Sequence, residues 1–180
     1  MMNKVIKIIS CGGTFEKEYD PITGKLVFNH SYINKLIKRS RSTKQFTFHN
    51  IMMIDSLEMT EQHRIQIANY INISKEEKIL IIHGTDTMVE TSEIIAKNKR
   101  PEQTVVITGA MVPASMKNSD AFFNFGYAIG ALDIVSPGGV WVAMNGSLFE
   151  FSDVVKNTEK GIFDPKRPPS PEWGLSAAIQ

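Results

Sequence analysis

The residues best equipped for chemistry lie in the stretch Ile79–Ser92, ILIIHGTDTMVETS. Four apolar residues run straight into His83-Gly84-Thr85-Asp86-Thr87, and Met88 onward has the composition of a helix. A short apolar run bounded by a turn signal reads as a fully buried strand. Gly84 lets the backbone turn sharply. Asp86 or Thr87 can cap the helix, with Glu90 three residues after Thr87 as in a capping box. A hydroxyl, a carboxylate and several backbone amides then gather at the carboxyl end of a strand, where open α/β sheets bind ligands. Together they could supply a nucleophile and hold a polar substrate. The same residues also read as a capped strand–helix turn without chemistry, so other parts of the chain must decide.

Three more apolar runs end in comparable turns. Val5–Ser10 leads to Cys11-Gly12-Gly13-Thr14, Phe46–Ile54 to Asp55-Ser56, and Thr104–Thr108 to Gly109-Ala110. The first turn lacks the Gly-Lys-Ser/Thr of a P-loop and the G-x-G-x-x-G of a dinucleotide site. It is a glycine-hinged loop carrying the hydroxyl of Thr14. In a parallel sheet all four ends share one edge, so Thr14, Ser56, Thr85 and Asp86 converge there, and convergence is more specific than any single motif. Ser56 taken alone reads equally as a helix cap. Tyr19, five residues after Thr14, reads equally as a surface residue pinning its loop. No Ser-His-Asp arrangement or G-x-S-x-G elbow is evident. The histidines at 30, 49, 63 and 83 lack zinc-ligand spacing. A desolvated lysine beside a threonine and an aspartate could serve as the missing base.

The elements that must position these groups follow from periodicity. Phe15–Phe28 reads as a long loop with turn signals at Asp20-Pro21 and Thr23-Gly24, of the kind that forms lids. Helices are expected over Ser31–Lys38, Glu61–Ile73, Met88–Lys97 and Ala121–Ile134, with Ser31, Thr60 and Asn118-Ser119-Asp120 as start signals. The small residues Gly126, Ala128, Gly130 and Ala131 suggest close packing of the last helix on the sheet. Val140–Met144 is the fifth strand, Asn145-Gly146 a hairpin turn, and Leu148–Val155 a short antiparallel return. The proline-rich tail from Asp164 reads as extended. Strand and helix alternate throughout, which predicts a three-layer, doubly wound, mostly parallel α/β sheet of Rossmann-like type.

Composition narrows the partners. The 180 residues suit one domain, residues 1–180, with a sizeable core. Hydrophobic residues make up 42% and charged residues 22%, ordinary values for a soluble globular protein. A net charge of +1 leaves no basic footprint for nucleic acid. A single cysteine precludes an intrachain disulfide framework. The first ten residues do not read as a signal peptide and no apolar run reaches membrane-spanning length, so the expected location is cytoplasmic.

Taken in order, C-G-G-T-F at 11–15, D-S-L-E-M-T at 55–60, H-G-T-D-T-M at 83–88, T-G-A-M-V-P at 108–113, N-S-D-A-F-F-N at 118–124 and D-V-V-K-N at 153–157 make the chain resemble the bacterial-type L-asparaginase/glutaminase family. The resemblance implies hydrolysis of the side-chain amide of asparagine, or a related small amide, to acid and ammonia, with a threonine nucleophile and no metal or organic cofactor. It implies that Thr14 is the nucleophile and Tyr19 its activator. Thr85, Asp86 and Lys156 correspond to a second catalytic set. Asp55, Ser56, Thr85, Asp86 and Ala110 correspond to the substrate-binding positions. Three departures stand out: Cys11 replaces a threonine, Leu57 replaces a polar residue, and the chain stops where typical members continue into a smaller domain. A short, single-domain member is therefore expected, assembled as a homodimer that covers the open pocket. An amino-acid-binding or regulatory module with little turnover is the alternative.

Overall fold

A computed structural model describes residues 5–167. Its centre is a six-stranded sheet in the order β4-β1-β5-β6-β7-β8. The strands are β1 (Ile6–Gly12), β4 (Phe46–Ile54), β5 (Lys78–Ile82), β6 (Thr104–Thr108), β7 (Val140–Met144) and β8 (Ser147–Glu150). The first five run parallel, and β8 returns antiparallel through the Asn145-Gly146 turn. Alternation along each strand explains the layers, because successive side chains point to opposite faces. Ile9, Ile79, Ile81, Val105 and Ile107 pack in one core with α2 (Glu61–Asn72) and α3 (Met88–Asn98). Ile8, Leu80, Ile82 and Val106 pack in the other with α1 (Ile33–Ser40) and α4 (Ala121–Ile134). Strands buried on both faces need apolar residues at every position, which is why β5 and β6 read as unbroken β-branched and leucine runs. Among the described residues, no helix is long and apolar enough to cross a membrane.

The order places the topological switch point, where the chain reverses its progress across the sheet, between β1 and β5, the crevice where doubly wound sheets hold ligands. One connection departs from the usual handedness. The chain steps the same way across the sheet from β5 to β6 and from β6 to β7, yet α3 and α4 lie on opposite faces. The placement of α1 and α2 matches that of α3, so β6–α4–β7 is the crossover of opposite hand, against a strong general preference. It carries Ala110–Asp120 across to the face where α1 lies.

Several sequence expectations need correction. Phe15–Phe28 is not an irregular loop. After a 3-10 turn at Thr14–Glu16 it forms a hairpin of β2 (Lys17–Asp20) and β3 (Lys25–Phe28). The turn signals fall at its tip, where Asp20 accepts bonds from the Ile22 amide and the Thr23 hydroxyl. The capping box at Thr87 and Glu90 does not form: α3 starts at Thr87 with no side-chain cap. Thr87 Oγ1 instead donates to the Ser56 carbonyl at 2.8 Å, and Asp86 is taken by Lys156. The strand expected over Leu148–Val155 ends at Glu150. A second hairpin, β9 (Val154–Asn157) with β10 (Ile162–Pro165), then begins. Gly126 and Gly130 face outward rather than onto the sheet, and Ala128 and Ala131 make the buried contacts. Of the tail expected from Asp164, Asp164 and Pro165 close β10, and the part beyond residue 167 lies outside the described residues.

Candidate active site

The turns that end β1, β4, β5 and β6 are locked together at the carboxyl edge of the sheet, and glycine makes this possible. A Cβ on Gly13 would lie 2.3 Å from the Gly84 Cα, and one on Gly84 would lie 2.4 Å from Ser56 Oγ. The next residues along, Thr14 and Thr85, are therefore presented by backbones in van der Waals contact. Gly13 also holds φ at 69°, in the left-handed region that glycine adopts without strain. A Cβ on Gly109 would meet Thr85 Cγ2 at 3.1 Å, which brings the β6 turn and buried Ala110 to the same place.

Lys156 arrives from β9. Val154 is fully buried in the core, and alternation puts Lys156 on the same inward face. Its ammonium donates to Thr85 Oγ1 at 2.8 Å and to Asp86 Oδ1 at 2.7 Å, with only 13% of the side chain exposed. A threonine hydroxyl, an amine and a carboxylate in one hydrogen-bonded chain can move a proton to or from the hydroxyl. Beside it a cleft of about 310 Å³ opens between α3 and β9, walled by Asp86, Glu90, Glu93, Lys156 and Lys166. A larger groove of about 950 Å³ lies between α1 and α4, and none of the strand-end hydroxyls lines it.

Ser56 is 1% exposed, and its Oγ is buried without a hydrogen-bond partner. Buried polar atoms are usually satisfied, so this hydroxyl at a strand end is a candidate contact for a polar ligand. Asp55 stands just before it as the cap of the 3-10 turn Ser56–Glu58, accepting from the Leu57 amide at 3.1 Å. Its other oxygen accepts from Lys17 Nζ at 2.5 Å. That bond holds its carboxyl below the usual range, with the charge of Lys156 adding to the effect.

The hairpin carrying Tyr19 is anchored at its base. Glu16 is fully buried and accepts from Ser10 Oγ (2.6 Å), Ser31 Oγ (2.8 Å) and the Tyr32 amide (2.9 Å). From the β6 turn, the Ala114 amide donates to the Phe15 carbonyl and Ser115 Oγ to the Lys17 carbonyl. Tyr19 itself is 57% exposed. Two residues after Lys17 on β2, it shares the hairpin face that turns toward Asp55. Cys11 is buried, and burial together with the Glu16 charge pushes its thiol far above the usual range, so it is no nucleophile. His83 lies buried between the Gly84 carbonyl and Thr91 Oγ1, and burial keeps its ring neutral against the Gly84 bond, which favours the charged form. Sequence reasoning missed Glu16 and Lys17. Their only signal was the two-residue period of Lys17 and Tyr19 facing Phe28 and Leu26.

Thr14, Ser56, Thr85, Asp86, Lys156, Asp55 and Ala110 are thus brought to one edge, with Tyr19 on the hairpin above. Comparisons with known proteins bear on the family of the chain. The family model described as "Asparaginase, N-terminal" matches residues 5–167. A probable periplasmic L-asparaginase of Haemophilus influenzae is 34% identical over 116 residues, 62% of this chain and 33% of that protein. L-asparaginase 2 of Escherichia coli is 33% identical over 110 residues, 59% of this chain and 32% of that protein. The solved structure of a probable cytoplasmic L-asparaginase from Campylobacter jejuni superposes with a TM-score of 0.77 at 27% identity, covering 90% of this chain and 53% of that one. The chain thus spans about a third of the length of these two curated relatives. With the family model matched over every described residue, the chain belongs to the asparaginase family by its N-terminal domain.

Proposed function

We propose that the protein is an amidohydrolase that converts the side-chain amide of L-asparagine, or a related small amide, to the acid and ammonia. The observation that carries this reading is the Thr85–Lys156–Asp86 chain of hydrogen bonds beside the unsatisfied Ser56 hydroxyl. Thr14 attacks the amide carbonyl, with Tyr19 closing over it on the hairpin. Lys156 shuttles a proton through Thr85, and Asp86 holds the amine in place. Asp55, Ser56, Asp86 and Ala110 surround the substrate. Backbone amides of the tight turns are the available donors for the developing oxyanion. No cofactor enters this reading, since hydroxyl, amine and carboxylate suffice for acyl transfer to water.

The reading includes a homodimer, supported by exposed Phe123 and Ile134 on the outer side of α4. It also places the protein in the cytoplasm, where a chain with one buried cysteine needs no disulfide. The relatives' names include both a periplasmic and a cytoplasmic enzyme. The experiment is an ammonia-release assay with L-asparagine, L-glutamine and amide dipeptides. Release from at least one of them, abolished in Thr14→Ala, supports the proposal. No release from any sinks it.

A further inference from the structure

The ion pair between Lys17 and Asp55 is the part of this site that the strand-end hydroxyls leave unexplained. We propose that Lys17 is a substrate-binding residue whose ammonium receives the α-carboxylate of the amino-acid amide next to Ser56, with Asp55 holding the ammonium there until substrate arrives. This rests on the amidohydrolase reading above.

Four observations converge on it. The Ser56 hydroxyl is buried and makes no hydrogen bond, so it has one to give to a polar atom of the ligand. A carboxylate set on a single hydroxyl in a crevice needs a cation as well, because an unpaired buried charge is costly. Lys156 is already committed to Thr85 and Asp86, whereas Lys17 binds Asp55, the residue directly before Ser56. Leu57, the residue directly after, is 74% exposed and offers no polar side-chain atom. Position is held from below too: the Lys17 ammonium lies 5.5 Å from the centre of the Phe28 ring across the hairpin.

Charge balance fits the same occupant. Lys17, Asp55, Lys156 and Asp86 form a neutral set of two cations and two anions. A zwitterion inserted among them keeps every charge paired. Its carboxylate meets Lys17 and Ser56, and its ammonium meets Asp55 and Asp86. An amide lacking the α-carboxylate offers Lys17 nothing in exchange for Asp55.

The test compares the unaltered chain with Lys17→Gln and Lys17→Arg. Two constants are measured: KM for L-asparagine by ammonia release, and the inhibition constant of 3-aminopropanamide, the same amide without its α-carboxylate. Lys17→Gln should raise KM roughly tenfold to a hundredfold, the size of a charge-assisted hydrogen bond, with the loss on KM rather than kcat. The inhibition constant of 3-aminopropanamide should not move with it, and Lys17→Arg should retain most of the affinity for asparagine. An unchanged KM overturns the proposal. So does a parallel loss for both compounds, because a mere hairpin latch would weaken both alike. An unaltered chain that releases no ammonia overturns the amidohydrolase reading and this inference together, so the two failures are told apart.

Discussion

At the scale of single residues, the site depends on where a few polar side chains are denied water. Lys156 is drawn inward by its two-residue offset from Val154 and meets Thr85 and Asp86 at hydrogen-bond distance. Lys156→Met keeps the stem and removes the amine. If Lys156 moves the proton, turnover should fall on the order of 10²–10⁴-fold. The fold should persist, since an apolar group of similar volume can replace a buried amine. A folded Lys156→Met protein with unaltered ammonia release would move the chemistry onto Thr14 and Tyr19. His83 gives a separate, pH-dependent expectation. Burial lowers its pKa from 6.5 to about 4, so the folded chain keeps the ring neutral where the unfolded chain would protonate it. Stability from this group is complete above pH 6.5 and is lost as pH falls toward 4, by at most about 1.4 kcal/mol per pH unit. Urea unfolding at pH 5 and 7.5 should show that loss, and His83→Gln should flatten it.

At the scale of elements, the hairpin β2–β3 and the reversed crossover work together. A two-stranded hairpin is marginal in isolation. This one is held at its base by the three bonds to Glu16 and by the Ala114 and Ser115 contacts that α4's crossover delivers. Its tip, around Ile22 at 93% exposure, has no such support among the described residues. Amides in Lys17–Phe28 should therefore exchange with solvent much faster than those of β5, as a lid over Thr14 requires. Equal protection in the two segments would count against a lid. Glu16→Ala strands three donors and should cost about 1–3 kcal/mol for the donors left unmade, with faster exchange concentrated in the hairpin and the start of α1.

At the scale of the molecule, two apolar cores sandwich the sheet and fix its carboxyl edge as the place where four strand-end turns meet. α4 buries Ala121, Phe125, Ala128 and Leu132, which leaves Phe123, Gly126, Gly130 and Ile134 outside. A face with two large exposed apolar side chains beside two glycines suits close approach by a second copy. Sedimentation at micromolar concentration should show a dimer, and Phe123→Glu should shift it toward monomer. Monomer alone in the unaltered chain would refute the assembly.

The sequence by itself determined the five parallel strands, the four helices and the carboxyl-edge turns, but not the two hairpins β2–β3 and β9–β10. Unbroken β-branched runs such as Ile79–Ile82 and the helical spacing of Ile67, Ala68 and Ile71 are local signals, readable without neighbours. The motif residues Thr14, Ser56, Thr85 and Asp86 were legible for the same reason: each follows a strand, and parallel strands share an edge. Tertiary structure decided the partners. Whether Asp86 caps a helix or binds an amine depends on Lys156, which lies 70 residues away. Whether Lys17 is solvated or pairs with Asp55 depends on how the hairpin docks, across 38 residues. The opposite hand of β6–α4–β7 likewise left no mark in the periodicity of α4, because one amphipathic helix can pack on either face of a sheet. Local pattern sets which face of an element is apolar, and only packing sets which polar groups meet.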